Sequence, residues 1–369
     1  MAEVLFLVHD GAYFLRDYLP LARRLLDEGF SVAAAVPADP ETEGRLVAER
    51  IRPVHADFLA ASNATAVLCG VGAAHRLLRD ERPALVHCVS MRSVLIGGLA
   101  ARLPASFPVV FLVTGLGNLF LAPRPVRRRL GELALRIALR RPRSRAIFQN
   151  EADRSFFLRR GIVSLEAARL IPGTGVDLDR FRPTPLPDGE PLILFPGRMI
   201  REKGVLELLD ACSELRRRGH RFRLVLAGAP HPGNPSSLSV EELERLSQRD
   251  GYEWVGWQPD IRPWLARAHI VCLPSWREGL SVALLEAAAA GRPVVTTDVP
   301  GCRDAIVHGR TGLKVPPRDH GALAAALETL MRDEELRCSM GEAGRRHAER
   351  EFGRERILDQ TLDVYRELL

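Results

Sequence analysis

Glu278 and Glu286 stand in the run Ser275-Trp-Arg-Glu-Gly-Leu-Ser-Val-Ala-Leu-Leu-Glu-Ala-Ala-Ala-Ala-Gly-Arg-Pro-Val-Val-Thr-Thr-Asp298. Carboxylates at this spacing can accept hydrogen bonds from hydroxyls at opposite ends of one ligand. Between them, Gly279 lets a ligand approach the main chain. The amides of Leu280, Ser281 and Val282, at the start of a helix, attract an anion. A ligand with phosphates in the middle and hydroxyls at both ends suits such a pocket, and a nucleotide sugar has that shape. The same glutamates also fit a plain loop charge and a solvated helix position. Cations stand upstream in Leu192-Ile-Leu-Phe-Pro-Gly-Arg-Met-Ile-Arg-Glu-Lys-Gly204, where Arg198 follows Gly197 at a strand end and Lys203 opens the next helix. A nucleoside diphosphate leaving group gains about one negative charge as its bond to the sugar breaks, and two such cations can neutralise it without a metal. Taken alone, they are equally ordinary surface cations in an arginine-rich chain.

The elements that must position these residues follow from periodicity. Val271-Cys-Leu-Pro274 reads as a short apolar strand. A helix rich in Ala and Leu starts at Ser281, Gly291-Arg-Pro293 stops it, and Val294 and Val295 open the next strand. The first half of the chain alternates in the same way. Strands are expected over 4–8, 31–36, 84–88, 109–113 and 146–148. Helices are expected over 14–28, from Glu41, and over 64–79, 93–102, 126–140 and 152–159. Such alternation implies a parallel sheet with helices on both faces. The proline-rich stretch Phe181-Arg-Pro-Thr-Pro-Leu-Pro-Asp-Gly-Glu-Pro191 reads as a linker, and the pattern restarts with strands over 192–195, 224–227, 271–273 and 294–296. The expected fold is α/β, with two doubly wound Rossmann-like domains whose ligands bind in a cleft at the carboxyl ends of the strands.

Further motifs follow: Pro300-Gly-Cys-Arg-Asp304, then Gly309-Arg-Thr-Gly-Leu-Lys-Val-Pro-Pro-Arg-Asp319. In this order and separation, the motifs from about 192 to 319 closely resemble those of the retaining glycosyltransferases of family 4, which have the GT-B fold. The resemblance implies an N-terminal acceptor-binding domain over 1–180, a linker over 181–191, a donor-binding domain over 192–350, and a last segment, 351–369, packing across the junction. It implies that Glu286 binds the ribose hydroxyls. Glu278, with the amides of Gly279, Leu280 and Ser281, holds the donor sugar, and Arg198 and Lys203 at Gly197 stabilise the leaving group. The family reads the base near Glu253-Trp-Val-Gly-Trp257, where Trp254 or Trp257 could stack. Arg303 either touches the donor or supports a group that does. No acid pair suggests a carboxylate nucleophile, and the resemblance implies front-face substitution. No metal and no cofactor are expected, the nucleotide sugar being a substrate.

On the acceptor side, Phe111-Leu-Val-Thr-Gly-Leu-Gly-Asn-Leu-Phe120 and Phe148-Gln-Asn-Glu-Ala-Asp153 resemble bacterial members that extend saccharides on polyprenyl-diphosphate carriers. Gly115, Gly117, Asn118 and Asn150 are thereby placed on that side. The N-terminal loop His9-Asp-Gly-Ala-Tyr-Phe-Leu-Arg16 departs from much of the family in having one glycine, and it brings His9 and Arg16 forward. The implied reaction moves a hexose or N-acetylhexosamine from a UDP-sugar to a saccharide acceptor, lipid-linked, in bacterial surface polysaccharide synthesis. A nucleotide-sugar-binding scaffold and a nucleotide-sugar epimerase on the same fold are the alternatives.

The whole-chain numbers fit this. A chain of 369 residues can bury two cores. Cys69, Cys88, Cys212, Cys272, Cys302 and Cys338 show no metal-ligand spacing, which points to reduced thiols. Asp177-Leu-Asp179 matches the metal signature of a different transferase fold, but the stretch 172–181 around it resembles the crossover into the second domain of family 4 enzymes, which implies a structural role. The stretch 4–8 is too short for a signal peptide, and no run is long enough to span a membrane. A cytoplasmic protein on the inner face of the membrane is expected. The net charge of +6 concentrates in segment 124–145, where Arg124, Arg127, Arg128, Arg129, Arg136, Arg140, Arg141, Arg143 and Arg145 alternate with leucines. A basic amphipathic helix there either lies on an anionic membrane surface or turns its leucines into the core. Nucleic acid is discounted, since the segment lacks interleaved aromatics.

Overall fold

The computed structural model describes residues 3–60, 64–102, 107–115, 125–231, 233–250 and 252–369. The chain divides into two compact units, Met1–Thr174 with Ile357–Leu369, and Gly175–Arg356.

Among the described residues the first unit holds seven parallel strands, β1 (Glu3–Val8), β2 (Ser31–Val36), β3 (Arg52–His55), β4 (Leu85–Val89), β5 (Val109–Val113), β6 (Ser144–Phe148) and β7 (Ala168–Leu170), in the order β3-β2-β1-β4-β5-β6-β7. Its helices are α1 (Gly11–Asp17), α2 (Leu19–Asp27), α3 (Pro40–Ala48), α4 (Ala64–Glu81), α5 (Ser90–Ala100), α6 (Pro125–Leu139) and α7 (Glu151–Arg159). Every residue of β4 and β5 is buried, as continuous apolar runs covered by helices on both faces must be. The strand order reverses between β1 and β4, which opens a crevice at their carboxyl ends.

One helix was expected over 14–28, and two are present. The break falls at Tyr18, because Pro20 has no amide for a hydrogen bond to the preceding turn but fits the first turn of a new helix. The last helix, α14 (Arg354–Arg366), contributes Ile357, Leu358, Leu362 and Tyr365 to the core built on Val4, Phe6 and Val110. Tyr365 and His87 hydrogen bond through the phenol oxygen and Nδ1. Burial pulls the His87 pKa down to about 3, so this ring is neutral.

Among the described residues the second unit has six parallel strands, β8 (Leu192–Pro196), β9 (Arg223–Ala227), β10 (Tyr252–Trp254), β11 (Ile270–Leu273), β12 (Val294–Thr297) and β13 (Gly312–Val315), in the order β10-β9-β8-β11-β12-β13. Its helices are α8 (Val205–Arg217), α9 (Val240–Asp250), α10 (Arg262–Arg267), α11 (Val282–Ala289), α12 (His320–Arg332) and α13 (Glu334–Glu351). Here the order reverses between β8 and β11.

The unit begins at Gly175, before the boundary expected at 180, and the proline-rich stretch packs against it. Phe181 is buried in the second core. Prolines supply no amide donors, so the carbonyls of this stretch need other partners. Arg345 donates to the carbonyls of Leu178, Phe181 and Ala289 at 3.2, 2.8 and 2.9 Å. Arg292, fully buried, donates to those of Thr184 and Pro185 at 2.8 and 3.2 Å, and burial pulls its pKa down to about 10. Asp177 accepts from the amides of Asp179 and Arg180 and from Arg354, so this carboxylate holds the crossover together.

Candidate functional site

The residues expected on the donor side follow the carboxyl ends of β8, β11 and β12, neighbours in the sheet. Gly197 follows β8 and its amide donates to the Ala227 carbonyl at 2.9 Å. Lys203 closes a short turn over Arg201–Lys203, and Gly204 then takes φ 74°. A Cβ on Gly204 would lie 2.0 Å from the Pro274 carbonyl oxygen, so the turn bearing Lys203 sits directly on the end of β11. That approach pairs Lys203 with Glu278. The ammonium and Oε1 form a close ion pair, Ser275 Oγ donates to the same oxygen at 2.7 Å, and the two charged side chains are only 15% and 14% exposed. Cys302 lies behind the pair, with its thiol pushed up to about 12 chiefly by burial. Arg198 is exposed and has no acid partner among the described residues.

One expectation about the loop changes. Ser281 does not offer its amide to an anion, because that amide donates to the Gly301 carbonyl at 3.3 Å. The Glu278 amide is likewise spent on the Pro300 carbonyl at 3.2 Å. The loop is therefore strapped to the segment after β12, and Leu280 anchors it by burying its side chain in the core. Gly279 lies between these two tied positions. Glu286 falls in the second turn of α11 and is half-buried. Trp254 is held by a bond from Nε1 to the Gly228 carbonyl at 2.8 Å and packs on the core, whereas Trp257 is 70% exposed and free to stack. Arg303 pairs with Asp298 at 3.0 Å, which makes it a support for that loop as placed. Sequence reasoning passed over Ser275, whose position three residues before Glu278 was the available signal. It also passed over Trp276, which is held by Glu207 at 2.9 Å and covered by the Arg318 guanidinium at 4.0 Å from its ring.

In the first unit the carboxyl ends of β1, β4, β5 and β6 carry His9, Ser90, Gly115 and Asn150. His9 Nδ1 and Ser90 Oγ are 3.0 Å apart. Burial and the nearby Arg92 charge lower the His9 pKa, which keeps the ring neutral near pH 7. Asn150 does not face an open crevice. It is buried, caps α7 by accepting from the Asp153 amide at 2.8 Å, and donates to the Asp153 carboxylate at 3.1 Å. Arg16 forms a bidentate pair with its neighbour Asp17 at 2.9 and 2.7 Å and remains largely exposed. Gly115 has φ 136°, while Gly117 and Asn118 lie outside the described residues.

The basic segment is partly structural. Arg128 and Arg160 share Glu132, Arg141 donates to the Phe107 carbonyl, Arg143 to the Leu368 carbonyl, and Arg145 pairs with Glu367. Leu135, Ala138 and Leu139 of α6 face the core. Leu130, Leu133 and Ile137 do not: they are 61%, 49% and 42% exposed, and their spacing forms one apolar stripe.

Residues 3–151 match the family model described as glycosyl transferase 4-like, and residues 190–333 match that of the glycosyl transferases group 1. A Campylobacter jejuni relative named N,N'-diacetylbacillosaminyl-diphospho-undecaprenol alpha-1,3-N-acetylgalactosaminyltransferase is 28% identical over 357 residues, covering 91% of this chain and 91% of its own length. Among solved structures, a sucrose-phosphate synthase from Thermosynechococcus elongatus superposes with a TM-score of 0.81 at 21% identity, covering 100% of this chain and 99% of its own. The Anabaena protein HepE, crystallised with UDP and glucose, gives 0.78 at 20% identity, with both chains covered fully at 100%. The chain belongs to the family 4-like, group 1 glycosyltransferases and has their GT-B fold.

Proposed function

We propose that this glycosyltransferase moves a hexose or N-acetylhexosamine, with retention and without a metal, from a UDP-sugar to a lipid-linked saccharide. The ion pair of Lys203 with Glu278, braced by Ser275 at the carboxyl end of β11, carries the reading. A half-buried ammonium at that position meets the charge that develops on a departing diphosphate, and the exposed Arg198 adds a second cation. Glu278 then turns from Lys203 to the sugar hydroxyls. In the step proposed, the acceptor oxygen bonds to the anomeric carbon on the face that the diphosphate leaves, and its proton passes to the departing phosphate oxygen. Positioning and leaving-group stabilisation supply the rate. The UDP and glucose bound by HepE, and the diphospho-undecaprenol in the name of the Campylobacter jejuni relative, support this donor and this acceptor class.

A panel of UDP-, GDP-, ADP- and TDP-sugars, with and without magnesium, is the direct test. The donor is expected to raise the stability of the second unit by about 2.7 kcal/mol at a hundredfold excess over its Kd, to the same extent in EDTA. A protein that no nucleotide sugar stabilises would lack the proposed pocket.

The exposed stripe of α6 points to a membrane surface, at the inner face of the cytoplasmic membrane in this reading. Among the described residues no helix is long and apolar enough to cross a membrane. Leu130, Leu133 and Ile137 instead offer apolar area at the surface, with Arg129 and Arg140 exposed on the same helix and just after it. We expect co-sedimentation with vesicles containing anionic lipid, lost in the double variant Leu133→Glu/Ile137→Glu. Equal pelleting of the variant and the parent would remove α6 from the contact.

A further inference from the structure

Val8 of β1 pairs with Val89 of β4, so the next residues, His9 and Ser90, leave the sheet side by side where the strand order reverses. That crevice is where open α/β sheets take their ligands. Ser90 occupies it at a cost in backbone conformation. It is the first residue of α5 and has φ 80°, a left-handed value that serine rarely takes and that glycine takes without strain. Non-glycine residues held in this region concentrate at functional sites. The sharp strand-to-helix turn aims the side chain out of the end of the sheet, and Ser90 Oγ lies 3.0 Å from His9 Nδ1. Ser90 itself is only 8% exposed, so water competes little for this bond.

The surroundings complete the arrangement. Arg92, on the same helix, is anchored by the carbonyls of Leu59 and Ala60 at 2.9 and 2.6 Å and sets a positive charge near the imidazole. Asp10 is the opposing charge, and its side chain is engaged by the Tyr13 amide at 2.9 Å. The Tyr13 ring is tilted against that of His9, with centroids 5.9 Å apart. His9 Nε2 has no hydrogen-bond partner among the described residues.

We propose that Ser90 is a positioning residue for His9. Its hydroxyl, fixed by a strained backbone at the end of β4, holds the plane of the imidazole so that Nε2 meets a hydroxyl of the carbohydrate acceptor. The role rests on the transferase reading above. A hydroxyl donating to Nδ1 leaves Nε2–H as a donor to the acceptor oxygen, and one accepting from Nδ1–H leaves the Nε2 lone pair to receive the acceptor's proton as a hydrogen bond. Either way one neutral hydrogen bond is directed at the acceptor, and neither donor binding nor folding depends on it.

Ser90→Gly separates this role from a structural one, because glycine removes the hydroxyl and relieves the strain together. Two readouts are compared with the parent protein. The first is the ring-nitrogen spectrum of 15N-histidine-labelled protein, with His9 assigned from a His9→Gln variant. The second is the kinetics of transfer from the stabilising UDP-sugar to an N-acetylhexosamine on a short polyprenyl diphosphate. The variant is expected to melt no lower than the parent, to bind donor equally, to show a shifted His9 Nδ1 signal, and to lose roughly tenfold in kcat/KM for the acceptor. An unchanged His9 ring-nitrogen signal, or unchanged acceptor kinetics, in the variant of an active parent overturns the role of Ser90. A parent that transfers to no acceptor overturns the transferase reading, and this role with it.

Discussion

Replacing Lys203 with alanine is expected to lower turnover by about two to three orders of magnitude while leaving the fold in place, the scale of losing one preorganised charge contact in the transition state. The ammonium is not an interchangeable surface cation. Its turn is pressed onto β11 by Gly204, and its side chain is 15% exposed against a carboxylate that Ser275 also holds. Removing it leaves Glu278 partly buried with one neutral donor, and leaves the departing diphosphate with Arg198 alone. Lys203→Arg should rescue poorly, since a planar guanidinium cannot reproduce a compact ammonium between Glu278 and a phosphate. Single-turnover rates with saturating donor check this, together with a melting curve for each variant. A Lys203→Ala enzyme within threefold of the parent would end the assignment of leaving-group stabilisation to this residue.

The sequence located Lys203 and Glu278 separately, yet their pairing was invisible in it. The residues are joined only because β8 and β11 are neighbours in the sheet and Gly204 allows close approach, and no local spacing encodes that. Strand cores such as Val109–Val113 were legible because five apolar residues in a row can only be buried on both faces. The break at Tyr18 was missed although its cause, Pro20, stood in plain view inside an otherwise helical pattern. Errors at the site share one origin, the hydrogen-bond partners of short polar groups. Asn150 reads as a ligand group until its cap to Asp153 is seen, and Ser281 reads as an anion donor until its amide is found on Gly301. Arginine alternating with leucine in α6 left open which way the leucines face, and only packing shows that Leu135 turns inward while Leu133 turns out.

Gly301→Ala is expected to cost about a hundredfold in kcat/KM and to weaken stabilisation by the donor, without Gly301 touching any substrate. Gly301 has φ 79°, and a Cβ there would lie 2.5 Å from the Glu278 carbonyl oxygen, 2.6 Å from its carbon and 2.7 Å from the Gly279 carbonyl oxygen. All three neighbours are main chain, so no side chain can swing aside. To reach ordinary contact the loop carrying Glu278 must retreat by about 1 Å, a displacement that costs on the order of a hundredfold when it falls on a positioning group. The retreat also stretches the bonds from Ser281 to Gly301 and from Glu278 to Pro300, and draws the carboxylate away from Lys203 and Ser275. Backbone strain alone would be a rival cause, since alanine at positive φ costs about 1–2 kcal/mol wherever it occurs. Gly309 supplies the control. It has φ 73° in the same unit, but a Cβ there meets nothing within 4 Å. Gly309→Ala should therefore melt lower, as Gly301→Ala does, yet keep its turnover. Matching losses of activity in the two variants would assign the effect to strain. A fully active Gly301→Ala would show that the Glu278 loop can shift without disturbing the donor, and would separate that loop from the chemistry.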